Sequence, residues 1–254
     1  MQLHWWNYEI GNHVEVAGIL QDLKKAGKIR YVGVTNYNTA RLAELIDAGV
    51  DVVSNQVQYS ATDRRPQNGL AQYCRTHDVK LLCYGTIAGG LFSDKWRGIP
   101  DPGSPDFENV SLDKYYRIIE DFGGWGLYQE LLEAMKTIAD RHGVTIPAVA
   151  SRWVLDQEAV AAVIQGARHA RHIQANVELT QLRLTDEDHA LIASVHARSA
   201  GPLGDAYDLD REENRDALED VSTEYFDVEN GRLVKRRRDA VIVAEPYGHH
   251  LLTG

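Results

Sequence analysis

Hydrophobic positions along this chain follow two periods. Five short runs are nearly continuously apolar, β-branched or aromatic: Gln2–Trp6, Arg30–Val34, Val52–Val57, Lys80–Tyr84 and Ala159–Gln165. Dense runs of this length are what parallel strands covered on both faces look like. Between them apolar residues recur at helical spacing. Val14, Ile19, Leu20 and Leu23 share one face, and Gly27 follows as a stop. Thr39 stands as an N-cap for a second helix through Leu42, Leu45 and Ile46, closed by Gly49. A third spans about Gln67–His77 and turns Leu70, Tyr73 and Cys74 inward. Strand and helix alternating, with crossovers of about 20–30 residues, is the βαβ signature of a parallel sheet.

One connection is longer, from Gly85 to Glu158. It carries the Pro/Gly-rich stretch Gly98-Ile99-Pro100-Asp101-Pro102-Gly103, then helical patterns near Ser111–Asp121, Trp125–Arg141 and Ile146–Leu155. A connection of this size is usually functional. Two more helices are expected near Arg171–Leu179 and Asp186–Ala197. Beyond about Asp210 the pattern decays. The stretch 211–254 reads as a charged tail, poorly ordered or loosely packed, with one strand-like fragment at Ala240–Ala244. Its basic run, Lys235-Arg236-Arg237-Arg238, reads as a solvated segment.

Composition narrows the class. The chain has 254 residues, 44% hydrophobic and 25% charged, the balance of a globular protein. Lys and Arg number 27 against 37 Asp and Glu, a net charge of −10, which argues against nucleic acid as a partner. Cys74 and Cys83 are too few for a disulfide framework and read as reduced thiols of a cytoplasmic protein. The apolar stretch Leu81–Phe92 is too short to span a bilayer, and the opening residues lack a signal peptide's basic region and cleavage site. His249-His250 and the pair His169 and His172 lack further ligands at zinc spacing, so no metal is expected.

Polar residues gather where each strand ends. The runs finish in His4-Trp5-Trp6-Asn7, Thr35-Asn36-Tyr37, Asn55-Gln56, Tyr84-Gly85-Thr86 and Gln165-Gly166-Ala167-Arg168. In α/β sheets and barrels these ends form one rim, where ligands bind. Any one of them alone is ordinary turn chemistry, Tyr84 alone is a core tyrosine, and Gly166 alone is a strand-to-helix turn. As a set they suit one ligand. Asn36 and Gln56 each donate and accept, as a carboxamide requires. Tyr84 is followed by small residues that leave a ring face for a planar heterocycle. Gly166-Ala167-Arg168, before a helix, offers N–H groups and a guanidinium to a phosphate. The set describes a nicotinamide dinucleotide across a barrel mouth.

The segments Leu3-His4-Trp5-Trp6, Gly27-Lys28-Ile29-Arg30-Tyr31-Val32-Gly33-Val34-Thr35-Asn36, Ser54-Asn55-Gln56-Val57-Gln58-Tyr59-Ser60 and Tyr84-Gly85-Thr86-Ile87-Ala88-Gly89-Gly90-Leu91 resemble the aldo-keto reductase family. So does Val163-Ile164-Gln165-Gly166-Ala167-Arg168, with Asn176 beyond it. The resemblance runs from about residue 2 to 210, in family order. It implies part of a TIM (β/α)₈ barrel, strands four to eight with their helices, that reduces a small aldehyde or ketone with NADP(H). By that resemblance His4 is the active-site histidine that orients the carbonyl. Thr35, Asn36 and Gln56 hold the nicotinamide carboxamide, and Tyr84 stacks on the ring. Gly85, Ile87, Gly89 and Leu91 run along the pyrophosphate. Gly166 and Arg168 meet the adenosine phosphate, and Asn176 the adenine. Gly85-Thr86, Gln165, His172 and Ala175 depart from the family pattern.

The family's catalytic tyrosine, aspartate and lysine lie on the first three β/α units, which are absent from this sequence. The isolated chain is therefore expected to be weak or inactive, since a positioned general acid is worth about 10²–10⁴ in rate. Neither Tyr8, Tyr37 nor Tyr59 has a lysine and aspartate patterned beside it as a replacement. Residues 1–210 form the reductase-like portion. Strands at the ends of an incomplete barrel invite self-association. Two other functions fit less closely. One is a non-catalytic NADP(H)-binding regulatory or interaction module. The other is an unrelated α/β enzyme, disfavoured by the lack of a G-x-G-x-x-G or P-loop motif.

Overall fold

Strands form where the apolar runs are. The computed structural model describes residues 1–5, 8, 12–103, 110–166, 173–207, 224–229 and 232–237. In it β1 (Gln2–His4), β2 (Val32–Thr35), β3 (Val52–Gln58), β4 (Lys80–Tyr84) and β5 (Val160–Val163) build one parallel sheet. The order is β1-β2-β3-β4-β5, so each strand lies beside its neighbour in sequence and β1 and β5 are the edges. Short βα crossovers produce this order. β1 stops at His4, two residues earlier than the apolar run suggests. β5 is trimmed to Val160–Val163, leaving Ile164 and Gln165 as its extension onto the rim.

Helices fill the crossovers. α1 (His13–Lys25) turns His13 and Ala17 inward and leaves Ile19 56% exposed and Leu23 37% exposed. Val14 and Leu20 of the expected face pack against the core, while Ile19 and Leu23 beside them stay exposed. His13 Nε2 pairs with Glu44 Oε2 at 2.8 Å, which joins α1 to α2 (Thr39–Asp47). The cap of α2 is Asn38, whose side chain accepts from Arg41 N at 3.0 Å. Thr39 becomes the first helical residue, since asparagine outranks threonine as a cap. α3 (Leu70–Thr76) starts later than expected because a separate turn at Arg65–Gln67, containing Pro66, takes up the first residues.

The two helices expected between Ser111 and Arg141 form one span, α4 (Val110–His142), broken at Gly123 (φ 140°) and Gly124 (φ 82°, ψ 174°). Glycine tolerates those angles and other residues do not. α5 (Ile146–Leu155) is capped by Thr145, and α7 (Asp186–His196) by a reciprocal Thr185/Asp188 pair. Between them lies α6 (Ile173–Gln181), whose expected start at Arg171 lies outside the described residues. The core runs between sheet and helices. Val32, Val34, Val57, Leu81 and Cys83 of the strands are 0–1% exposed, as are Leu42, Leu45, Leu70 and Ile119 of the helices. Burying each such side chain contributes about 1.5–3 kcal/mol.

The chain divides into two compact units, Met1–Asp208 and Leu209–Gly254. The second contains an antiparallel pair, β6 (Glu224–Glu229) and β7 (Arg232–Arg237). The sequence pattern shows a strand-like fragment only at Ala240–Ala244 and none at these positions. The two end pairs, Glu224–Arg237 and Glu229–Arg232, are opposite charges, and Val228 stands opposite Leu233 between them. The fragment Ala240–Ala244 lies outside the described residues. Among the described residues no helix is long and apolar enough to cross a membrane, and no group of three or more His, Cys, Asp or Glu is arranged to hold a metal.

Candidate functional site

Cross-strand register assembles the rim. His4 is the Cα partner of Thr35, and Thr35 that of Gln56. Partnered residues of a parallel sheet project to the same face, so these three side chains share one row. Thr35 is 6% exposed and Gln56 half-buried. Among the described residues neither the Thr35 hydroxyl nor the Gln56 amide meets a protein hydrogen-bond partner. Two adjacent, partly desolvated polar groups with nothing in the protein to satisfy them are what a hydrogen-bonding ligand needs.

Asn36 and Tyr84 close the row. Asn36 sits at φ 60°, a left-handed conformation that asparagine tolerates, and its N–H donates to Gln56 O at 2.8 Å. The Tyr84 hydroxyl donates to Asn36 Oδ1 at 2.9 Å, which fixes the amide and joins the ends of β2 and β4 over the end of β3. His4 is exposed at the edge strand. Partial loss of water still holds its imidazole below the ordinary histidine value, so it is neutral at pH 7 and presents a neutral N–H.

Two residues that sequence reading missed come from α4. The Lys114 ammonium lies 5.5 Å from the centroid of the Tyr84 ring and 5.2 Å from that of Tyr115. The Tyr84 face read as open thus carries a cation over it. Tyr115 is buried against the loop after β4. A Cβ on Gly85 would stand 2.7 Å from its hydroxyl, and one on Gly89 3.0 Å from its ring. Only the knowledge that α4 returns over β4 would have singled these residues out, and nothing in local spacing carries that.

The loop expected along the pyrophosphate is split in role. Gly85 and Gly89, both at positive φ, remain at its surface, and Ile87 is half-buried. Leu91 lies beneath the surface of the loop. It is fully buried, its N–H donates to Ala88 O, and its carbonyl accepts from the Tyr128 hydroxyl at 2.5 Å. It supports the loop from beneath. At β5, Gln165 donates to Thr86 Oγ1 at 3.0 Å and Ser151 Oγ at 2.9 Å, tying this end to β4 and α5. Gly166 is described, and its carbonyl accepts from Asn176 Nδ2 at 3.2 Å. Arg168 lies outside the described residues, as do His169, His172 and Trp6.

The tyrosines considered as replacement acids are packing groups. Tyr8 sits edge-on to His13 at 5.0 Å and to Tyr37 at 5.3 Å, with the Arg41 guanidinium 5.2 Å from its ring. Tyr59 packs edge-on to Trp153, and burial pushes its phenol up. Burial also raises Tyr73, Tyr128 and Tyr116, the last to about 12. Burial pushes Cys74 up to about 12 and raises Cys83, so neither thiol is activated.

A parallel sheet with helices in its crossovers defines an α/β protein. The chain belongs to the aldo/keto reductase family, whose model matches residues 1–197. It is 32% identical over 174 residues to the flagellar radial spoke protein 5 of Chlamydomonas reinhardtii, covering 61% of this chain and 33% of that one. It is 26% identical over 181 residues to an NADH-specific methylglyoxal reductase of Escherichia coli strain K12, covering 70% of this chain and 52% of that one. A solved glycerol dehydrogenase of Gluconobacter oxydans shares the fold with a TM-score of 0.66 at 23% identity, over 80% of this chain and 60% of that one. The chain thus spans a third to about half the length of these curated relatives.

Proposed function

We propose that the rim holds NAD(P)H and that the chain supplies the cofactor side of a carbonyl reductase acting on a small aldehyde or ketone. The observation that carries this reading is the row His4–Thr35–Gln56, with its two unengaged polar groups, closed by the Tyr84–Asn36 hydrogen bond. Thr35 and Gln56 offer a hydroxyl and an amide to a carboxamide, and Asn36 is already oriented beside them. Tyr84 offers a ring face, with the Lys114 ammonium close by. Gly166, Asn176 and Arg168 would serve the adenosine end. Bound there, reduced nicotinamide supplies a hydride to the carbonyl carbon. His4, as a neutral imidazole, donates a hydrogen bond that orients the carbonyl oxygen.

Burial weakens Tyr59, Tyr73, Tyr116 and Tyr128 as proton donors. We therefore read the chain as strands four to eight of a TIM barrel whose tyrosine, aspartate and lysine lie on three preceding β/α units. Residues 1–210 form the reductase portion and 211–254 a separate appendage. The test measures NADPH and NADH consumption with a panel of aldehydes and ketones, on this chain and on a version extended upstream. Binding is followed in parallel through quenching of the five tryptophans. Saturable binding by both, with turnover only in the extended version, supports the reading. Absence of binding to this chain overturns it.

A second reading is a non-catalytic module that binds NADP(H) for regulation or assembly. Lys114 and Tyr115 favour it, because they already cover the ring face and the glycine loop. Similarity to a radial spoke protein is in keeping with it. Binding without turnover in either version would select it.

A further inference from the structure

The loop after β3 carries two consecutive arginines with opposite surroundings. It is built as a tight turn, in which Ser60 and Asp63 exchange backbone hydrogen bonds at 3.1 and 3.2 Å. The Asp63 carboxylate is then spent on neighbours. Arg65 engages it in bidentate fashion at 2.8 and 2.7 Å, and Gln58 donates to it at 2.7 Å, all three groups buried. Arg64 is left without that counterion. Its side chain is half-buried, its Nε is shut off from solvent, and its guanidinium makes no ion pair or hydrogen bond among the described residues. Its charge is felt at Tyr59 and His196, neither of which bears a negative charge at neutral pH. Burial makes Arg64 a weaker base than usual.

Arg64 lines a cavity of about 120 Å³ together with Gln67, Asn68, Ser199 and Leu203. Other bonds hold the walls. The Asn68 amide donates to Gly204 O at 2.7 Å, and the Ser199 hydroxyl to Gly201 O at 2.8 Å. None of the lining groups is acidic. A water claims about 30 Å³, so the space admits roughly four heavy-atom groups, the size of one carboxylate or phosphate head. A desolvated cation without a counterion is costly, and a bound oxyanion removes that cost with charge-assisted bonds.

We propose that the cavity between the loop after β3 and the loop after α7 is an oxyanion-binding site, with Arg64 as its charged ligand, taking the carboxylate or phosphate group of a small acid. The site stands apart from the row His4–Thr35–Gln56 and does not depend on how that row is used. Its walls are carried by both loops, so occupancy stabilises their junction.

The experiment uses the full chain, with inorganic phosphate and succinate as separate probes at constant ionic strength. Melting temperature and the ¹⁵N resonance of the Arg64 Nε–H are followed. One probe or both should shift them saturably, the phosphate and succinate arms separating the two chemistries. In Arg64→Gln the apparent affinity should fall at least tenfold, and Arg64→Lys should retain part of it. Ser199→Asp places a carboxylate beside the guanidinium. It should raise the melting temperature and abolish the response to added anion, which keeps the test sound if Arg64→Gln does not fold. Absence of a saturable shift with either probe overturns the proposal, as does an unchanged response in Arg64→Gln or Ser199→Asp.

Discussion

At the scale of single residues, the rim separates side chains that hold the fold from side chains held in reserve. The Asn36 side chain is engaged by Tyr84, whereas the side-chain amide of Gln56, one register row away, forms no hydrogen bond among the described residues. Replacing a group that forms no internal bond costs the fold nothing in hydrogen bonding. Gln56→Leu should therefore leave the free energy of urea unfolding within about 0.5 kcal/mol of wild type. It should weaken NADPH binding about tenfold, the loss of one hydrogen bond of about 1.4 kcal/mol. A stability loss with binding intact would reverse these roles. Lys114 gives a second contrast. Oxidised nicotinamide is a cation and reduced nicotinamide is not, so an ammonium beside the Tyr84 ring penalises the oxidised form. Lys114→Met should tighten NADP⁺ binding about three- to tenfold relative to NADPH, as read by fluorescence titration of both forms. Lys114→Arg should keep the wild-type ratio.

Elements are where sequence reading did most and where its failures are instructive. All five strands and the helices between them were legible, because βαβ crossovers impose dense apolar runs and glycine stops that survive without tertiary knowledge. The break in α4 was legible too, through Gly123-Gly124. The inward face of α1 was legible in part, since Val14 and Leu20 pack against the core as their spacing implies while Ile19 and Leu23 stay exposed. The strands β6 and β7 were not legible, because their apolar residues, Tyr225, Phe226, Val228, Leu233 and Val234, are interrupted and flanked by charged ones. The row His4–Thr35–Gln56 was legible as strand ends, whereas Lys114 and Tyr115 depend on how a distant helix returns. The loop after β3 shows what tertiary placement adds at this scale. His196, at the end of α7, reaches Ala61 O with Nε2 at 2.8 Å. Desolvation, and then the nearby Arg64 charge, lowers its pKa to about 4. The unfolded chain takes up a proton near pH 6.5 while the native state resists until about pH 4. Between those values the unfolded state binds more protons, so stability is full above about pH 6.5 and falls as the solution is acidified. The loss should approach about 3 kcal/mol at pH 4. Urea unfolding at pH 7.5 and 4.5 checks it, and His196→Gln, which keeps a donor for Ala61 O, should flatten that part of the profile.

At the scale of the whole molecule, the open sheet and the net charge act against each other. β1 and β5 are sheet edges, and Ile164 at the end of β5 is 44% exposed. Edge strands of this kind template pairing with another chain unless charge or cover blunts them. β1 is only three residues long, which makes it the poorer template. β5 carries no charge among its own residues, Val160-Ala161-Ala162-Val163. Opposing this, a net charge of −10 repels copies from one another. That repulsion is screened over about 10 Å at 0.1 M salt, whereas apolar and backbone pairing is not. Self-association should therefore grow as salt rises from about 20 mM to 300 mM, the reverse of an assembly held by opposite charges. Ile164→Lys should suppress it at every salt concentration by placing a cation on the edge. Sedimentation velocity across a concentration series decides the matter. A monomer at high salt and high concentration would show that the edge is already satisfied, and an association that weakens with salt would assign it to the charged surface instead of the sheet.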